Sequence, residues 1–380
     1  MTGMADENSS PATTAGPANV ALCIEAEVCR RLRPSLRHLC VGLIDHNVSG
    51  RLVSRSAEVG RLSIGPIQRV AYEQPPWLLR RLRSSRLHRM QTLAEKLADR
   101  PPTVVHAIAA DAYETGLLLA GHFDVDLVLQ VTSFRDIKAL TPALADRADS
   151  LIAASQPLLD WLEAGRTPPE RRLSVIRPGV LAGPAPTCFV RPDALPTLLC
   201  TEAFFPGSGI LAVLHAAHIL RQRKREFLVF LTGAGPLEAE LRRRTNALGL
   251  SGTVIFAHPS AGLDRIMIGA DIFIHPRMDD AIRIEPLSAM ANGLAVVAVQ
   301  GGAYDCFVDG VTALVLDEAK PDSLADAVER LLDDPDGAKR LAEGAINHIR
   351  TYYPISAMAG QTVQEYRALL ARRQTYVLNR

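Results

Sequence analysis

Between Ala270 and Asp317 the chain gathers residues able to hold and neutralise an anion. Ile272-Phe273-Ile274 is an apolar run of buried-strand type, stopped by His275-Pro276. The polar loop after it carries Arg277, Asp279, Asp280 and Arg283, and Glu285-Pro286 follows at once. Pro286 fits the first turn of a helix, where its missing N–H costs nothing. Gly293 sits where a left-handed cap would end that helix. A helix opening at Glu285-Pro286 aims free backbone N–H groups and a positive dipole end outward, which suits a diphosphate. Leu294 to Val299 is a second buried strand, closed by Gly301-Gly302. Strand, loop, short helix and strand make a βαβ unit, and open parallel sheets bind ligands at the carboxyl ends of their strands.

The rest of the chain must position this unit. Val20 to Leu32 has helical spacing, with Pro34 as its stop, and His38 to Ile44 reads as a strand. Gly60 to Tyr72 alternates apolar residues. Trp77 to Ala98 reads as a helix that is basic in its first half. Val104-Val105 is a strand, Tyr113 to Ala120 a helix, and Val125 to Val131 a strand ending at Thr132-Ser133. The pattern continues through a helix at Pro157 and a strand at Leu173. Pro178 to Pro196 holds five prolines and little periodicity, as a linker would. A second alternating series follows, with glycines at Gly207, Gly209, Gly233 and Gly235-Pro236 in the loops after its first strands. Alternating strands and helices imply parallel sheets. The expected organisation is a leader over 1–19 and a first Rossmann-like α/β domain over 20–180. A linker over 181–196 leads to a second such domain over 197–351. A final helix over 352–372 and a tail over 373–380 complete the chain.

At 380 residues, two domains are the natural expectation. A net charge of +1 gives no global reason to expect nucleic acid. Six cysteines without Cys-x-x-Cys or zinc spacing read as reduced, buried thiols. No run approaches a membrane span, and Met1 to Asn19 is polar, without the apolar core of a signal peptide. The expected location is therefore cytoplasmic. The arginine-rich Trp77–Arg89 segment allows peripheral contact with an anionic membrane; a solvated basic face is the plainer reading.

The βαβ unit resembles the donor site of the retaining, sugar-nucleotide-dependent glycosyltransferases of the group 1, or family four, kind. The residues that carry this resemblance are His275-Pro276, Ala289-Met290-Ala291-Asn292-Gly293, Ala295-Val296-Val297-Ala298, Gly301-Gly302 and Asp309-Gly310. Gly233-Ala234-Gly235-Pro236 is similar to the family's Gly-x-Gly-Pro loop, and Phe256-Ala257-His258 to its next one. The resemblance implies the GT-B architecture, two Rossmann-like domains facing a cleft, with the last helix crossing back to the first domain. It also implies a nucleotide-sugar donor, a hydroxyl acceptor (a sugar, a lipid-linked molecule or another), a role in carbohydrate biosynthesis, and no cofactor or metal.

The family's two motif carboxylates fall on Asp280 and Ser288. Asp280 is then the expected sugar contact, and Ser288 cannot accept both ribose hydroxyls as a carboxylate does. Glu285 could supply a carboxylate from nearby, or simply favour the helix dipole. The family's phosphate-binding Arg and Lys are absent from Thr201 to Gly209, where Glu202 has the opposite sign. Arg277 or Arg283 could replace them; solvent-facing arginine is the plainer expectation. No first strand with a Gly-Gly loop is expected before Val20. Ser133 stands near the family's N-domain histidine and could meet an acceptor, or cap a helix. Catalytic candidates are thus Asp280, Arg277, Arg283 and Ser133. Donor-binding candidates are Gly207, Gly209, Gly233, Gly235, Pro236, His258, Glu285, Ser288, Ala289, Met290, Gly301 and Gly302. The expected activity is sugar transfer with retention. The alternative is a catalytically degenerate relative that binds a nucleotide sugar or partners an active transferase.

Overall fold

The computed structural model describes residues 18–55, 65–73, 83–165, 172–258 and 263–378. They form two all-parallel sheets. The first holds β1 (Asn19–Ile24), β2 (Ser49–Arg55), β3 (Gln68–Tyr72), β4 (Val104–Ile108), β5 (Asp126–Val131), β6 (Ser150–Ala153) and β7 (Arg172–Val175), in the order β3-β2-β1-β4-β5-β6-β7. The second holds β8 (Thr197–Cys200), β9 (Leu228–Thr232), β10 (Val254–Ala257), β11 (Ile272–His275), β12 (Ala295–Val299) and β13 (Leu314–Leu316), in the order β10-β9-β8-β11-β12-β13. The strand order reverses between β1 and β4 and again between β8 and β11. Each reversal opens a crevice at the strand ends. The central strands are continuous apolar runs because helices cover both their faces. In β12 every residue from Ala295 to Val299 is buried.

Helices fill the crossovers of both sheets. The first sheet is served by α1 (Ala26–Arg31), α2 (Arg33–Asp45), α3 (Arg83–Leu97), α4 (Ala110–Phe123), α5 (Phe134–Ala139), α6 (Pro142–Ala145) and α7 (Gln156–Ala164). The second is served by α8 (Ile210–Gln222), α9 (Glu238–Ala247), α10 (Leu263–Gly269), α11 (Ile284–Ala291), α12 (Pro321–Asp333) and α13 (Pro335–Tyr352). The last helix, α14 (Ile355–Leu378), packs on α2 of the first domain. There the Tyr366 hydroxyl lies 2.7 Å from Nδ1 of His106, and Glu365 pairs with Arg172 at 2.7 Å. Among the described residues no helix is long and apolar enough to cross a membrane.

Three sequence expectations are corrected. Val20 to Ile24 is a strand, not the start of a helix, so the first strand of the domain is present after all. Its run Val-Ala-Leu-Cys-Ile is apolar on both faces, and such a run is compatible with helix or strand until its place in a sheet is known. His38 to Ile44 belongs to α2, and Pro34 opens that helix instead of ending its predecessor, as proline in a first turn can. Of the basic Trp77–Arg89 segment, residues 77–82 lie outside the described residues. Arg89 is buried and faces Glu114 at 3.2 Å, so it is not part of a solvated basic face. Of the leader expected over 1–19, residues 1–17 lie outside the described residues, and Asn19 is instead the buried first residue of β1.

Candidate functional site

β8 and β11 are neighbours at the reversal of the second sheet, so the residues just beyond both strands share one crevice. Glycines let the loops there approach closely. A Cβ on Gly233 would stand 2.0 Å from the carbonyl oxygen of Glu202. Gly302, at φ +77, presses on the carbonyl of Asp279, where a Cβ would come within 2.3 Å. Gly209 similarly meets Pro276, and Gly235 meets Phe204. Gly301 faces the Met278 thioether, while Gly207 stands in open space. Of the glycines read as donor-binding, Gly233 and Gly235 thus seat the loop after β9 on that of Glu202, Gly302 seats the loop after β12 on Asp279, and Gly209 brings the Glu202 loop onto Pro276.

Between these loops lies a buried cluster of charge. Glu202 is 1% exposed and holds both candidate arginines. Nε of Arg277 donates to its Oε2 at 3.1 Å, and Nη2 of Arg283 to its Oε1 at 2.5 Å. Asp279 closes the square, 2.6 Å from Nη2 of Arg277 and 2.7 Å from Nε of Arg283. Two carboxylates and two guanidiniums cancel in charge. The expectation that the arginines face solvent is corrected for Arg283, whose side chain is 15% exposed, and holds only in part for Arg277, at 36%. Removing either acid would leave a buried cation uncompensated. Burial raises the Glu202 carboxyl above its ordinary range, against the pull of Arg283 and Arg277.

His275 lies inside the square, its Nδ1 3.5 Å from Glu202 and its Nε2 3.9 Å from Asp279. Tyr304 and Phe307 flank the ring, with centroids 5.4 and 5.5 Å away. Burial and the two arginines push the imidazole well below its ordinary range, which keeps it neutral. Glu202, His275 and Asp279 bring three donor atoms within 4.8 Å of one another, a spacing a metal ion could use. The guanidiniums stand within 3.1 Å of all four carboxylate oxygens, so a divalent cation would compete with both arginines, although Asp279 Oδ2 and both ring nitrogens of His275 are buried without a hydrogen-bond partner.

The helix expected at Pro286 is α11, and it opens beside this cluster with Arg283 as its N-cap. The Tyr304 hydroxyl accepts from the backbone N–H of Arg283 at 2.9 Å and fixes that entry. Oε2 of Glu285 is buried without a hydrogen-bond partner, and burial raises its carboxyl above the ordinary range. Ser288 is half-buried, and its carbonyl accepts from the Asn292 side chain at 2.7 Å. The side chains of Ala289 and Met290 are wholly buried, so only their backbone could serve a ligand. His258 is exposed at the end of β10, and Pro236 is exposed in the turn before α9.

The first domain meets this loop directly. Asp136 accepts from the backbone N–H groups of Ala110 at 2.9 Å and Thr132 at 2.8 Å, which fixes the end of β5. Ser133 caps α5, its Oγ accepting from the Asp136 N–H at 3.2 Å, and pairs with Ala281 across the cleft. Phe134 N–H donates to the carbonyl of Asp280 at 2.9 Å, and Ile282 N–H to that of Thr132 at 3.0 Å. Arg31 crosses from α1, with Nη1 2.5 Å from the Ile282 carbonyl and Nη2 2.8 Å from the Thr132 hydroxyl. Asp280 itself is exposed. It lines a cavity of about 580 Å³ between the domains, with Phe134, Ile137, Lys138, Trp161 and Met278. Trp161 is 61% and Met278 57% exposed there.

Sequence reasoning missed Glu202 as a partner, passed over Asp279 as a companion of Asp280, and gave no role to His275, Tyr304 or Arg31. One signal was legible: a carboxylate at the first loop and two extra arginines at the second are a matched reversal of sign.

Residues 190–348, which carry the second sheet and the charged loop, match the family described as glycosyl transferases group 1. A D-inositol 3-phosphate glycosyltransferase of Corynebacterium glutamicum (strain R) is 28% identical over 229 residues, 55% of either chain. The chain spans about half the length of the curated relatives it matches. A glycosyltransferase from Rickettsia africae ESF-5 superposes with a TM-score of 0.78 at 14% identity, over 94% of this chain and 99% of the other. Anabaena HepE in complex with UDP-glucose gives 0.72 at 16% identity, over 92% of this chain and all of the other. The second domain thus matches the group 1 glycosyl transferases, and the two parallel-sheet α/β domains have the GT-B architecture.

Proposed function

We propose that the protein moves a sugar from a nucleotide-diphosphate donor to an acceptor hydroxyl with retention. The observation that carries this reading is the strand-end crevice between β8 and β11. There an arginine pair and the opening of α11 lie together, in a domain that matches the group 1 family. Arginine and the helix terminus would stabilise the negative charge that develops on the departing diphosphate. Asp280 would orient the transferred sugar, and the acceptor would enter the 580 Å³ cavity that Asp280 shares with Trp161 and Met278. Retention without a protein nucleophile calls for attack from the face the nucleotide leaves. UDP and its sugars head the list of donors to try, because Anabaena HepE holds UDP-glucose in the same fold.

The test is calorimetry with UDP, GDP, ADP and their sugars, followed by a transfer assay with the nucleotide that binds. Binding and turnover, both weakened by Asp280→Ala, are the expected result. Binding without turnover across a broad acceptor panel would replace transfer with a nucleotide-sugar binding role. Silence from folded protein would remove the donor site altogether.

A further inference from the structure

The charge square is neutral as it stands, which is a poor receptor for a dianion. Its four members differ in freedom. The side chains of Glu202 and Asp279 are 1% and 4% exposed, and that of Arg283 is 15%. Arg277 is 36% exposed, so it alone of the four has an open route to solvent. Its grip is also divided, one contact to each acid instead of a two-pronged pair with either. Arg283 touches both acids too, and its Nη1 reaches the Thr201 carbonyl at 3.4 Å. If Arg277 swings out, Glu202 and Asp279 remain bridged by Arg283.

We propose that Glu202 and Asp279 hold Arg277 in reserve and that a diphosphate binds by exchange, its oxygens replacing theirs on the Arg277 guanidinium. This rests on the crevice being the donor site. Exchange has a cost, since two buried acids give up a partner, and a ligand must offer enough negative charge to offset it. A diphosphate brings two adjacent charged phosphates and can also use the α11 opening. A nucleoside monophosphate brings one phosphate and recovers less. Glu202 therefore sets the affinity for a diphosphate without touching the ligand, as a positioning residue acting through Arg277. Its removal should strengthen binding, which no merely structural role predicts.

The experiment is calorimetric titration of the full chain with UDP, UMP and inorganic pyrophosphate. The proteins are wild type, Glu202→Gln, Arg277→Ala and the double variant, each first checked for folding by its thermal transition. Glu202→Gln should tighten UDP and pyrophosphate on the order of tenfold, the scale of one unit charge removed beside the ligand. It should tighten UMP by no more than this, because the cost removed is the same for both ligands. Arg277→Ala should weaken UDP and erase the gain in the double variant. Asp279→Asn, read the same way, serves if Glu202→Gln does not fold. Unchanged or weaker UDP binding in a folded Glu202→Gln protein, with wild type still binding, overturns the exchange and leaves the donor reading standing. A gain that survives Arg277→Ala overturns it as well. Absence of binding in every folded protein removes the donor reading and the exchange together. Binding confined to Glu202→Gln supports the exchange.

Discussion

Nη1 of Arg31 stands 2.5 Å from the carbonyl oxygen of Ile282, so a side chain of the first domain is fastened to the loop that carries the charge square of the second. The same guanidinium holds the Thr132 hydroxyl at 2.8 Å, and the backbones of the two loops pair beside it. The cleft is thus latched at the mouth of the crevice.

Replacing Arg31 by alanine should unlatch it. Small-angle scattering should report a larger radius of gyration, and chemical denaturation a loss of about 2 kcal/mol, the scale of lost charged hydrogen bonds. An unchanged radius would mean that the Phe134–Asp280 and Ile282–Thr132 backbone bonds hold the domains alone.

Asp280→Ala should separate chemistry from stability. The side chain is exposed, so the midpoint of unfolding should move by no more than about 0.5 kcal/mol. Sugar transfer should fall on the order of a hundredfold, as when one polar contact to a transition state is lost. Full turnover in the variant would take Asp280 out of the site.

The sequence made the two sheets and their order of elements legible wherever strand and helix periods differ. It misled at β1 and α2, because a short apolar run fits either element until its neighbours are known. Glycines stood out as a pattern, yet their work is mutual: Gly233 makes room for Glu202 and Gly302 for Asp279, a pairing that only contact reveals. Asp280 and Asp279 are adjacent and chemically alike, and nothing in their order tells that one lines a cavity while the other is buried among arginines. Arg31 was invisible for a simpler reason, since its partner lies 251 residues away.

The acidity of Glu202 predicts a pH dependence with a definite sign. Its carboxyl titrates above the ordinary value of 4.5, so it is protonated as pH falls through that raised value. The square then passes from neutral to a net positive charge, and a nucleotide sugar, whose phosphates do not titrate there, should bind more tightly. The folded chain holds this proton more strongly than the unfolded one, so the same titration lowers stability as pH rises from 4.5 toward the raised value. Calorimetric dissociation constants measured as pH falls from neutrality toward 4.5 check the first effect. Glu202→Gln should flatten it.

Tyr366→Phe tests the seat of α14. Burial lowers the His106 imidazole to about 3, so it is neutral and relies on the Tyr366 hydroxyl 2.7 Å away. Losing that hydroxyl leaves a buried ring nitrogen unsatisfied, at about 1–3 kcal/mol. Denaturant titration should show the loss, with nucleotide affinity at the second domain unchanged.

The seating of α14 also bears on how the molecule is made. Ser150, Arg172 and His106 wait in the first domain for Glu365 and Tyr366, which emerge from the ribosome only after the whole second domain. Biosynthesis therefore completes the two domains in reverse order. The second can close on itself while the first still lacks a wall, and until α14 arrives the nascent first domain shows an apolar face that a chaperone could hold.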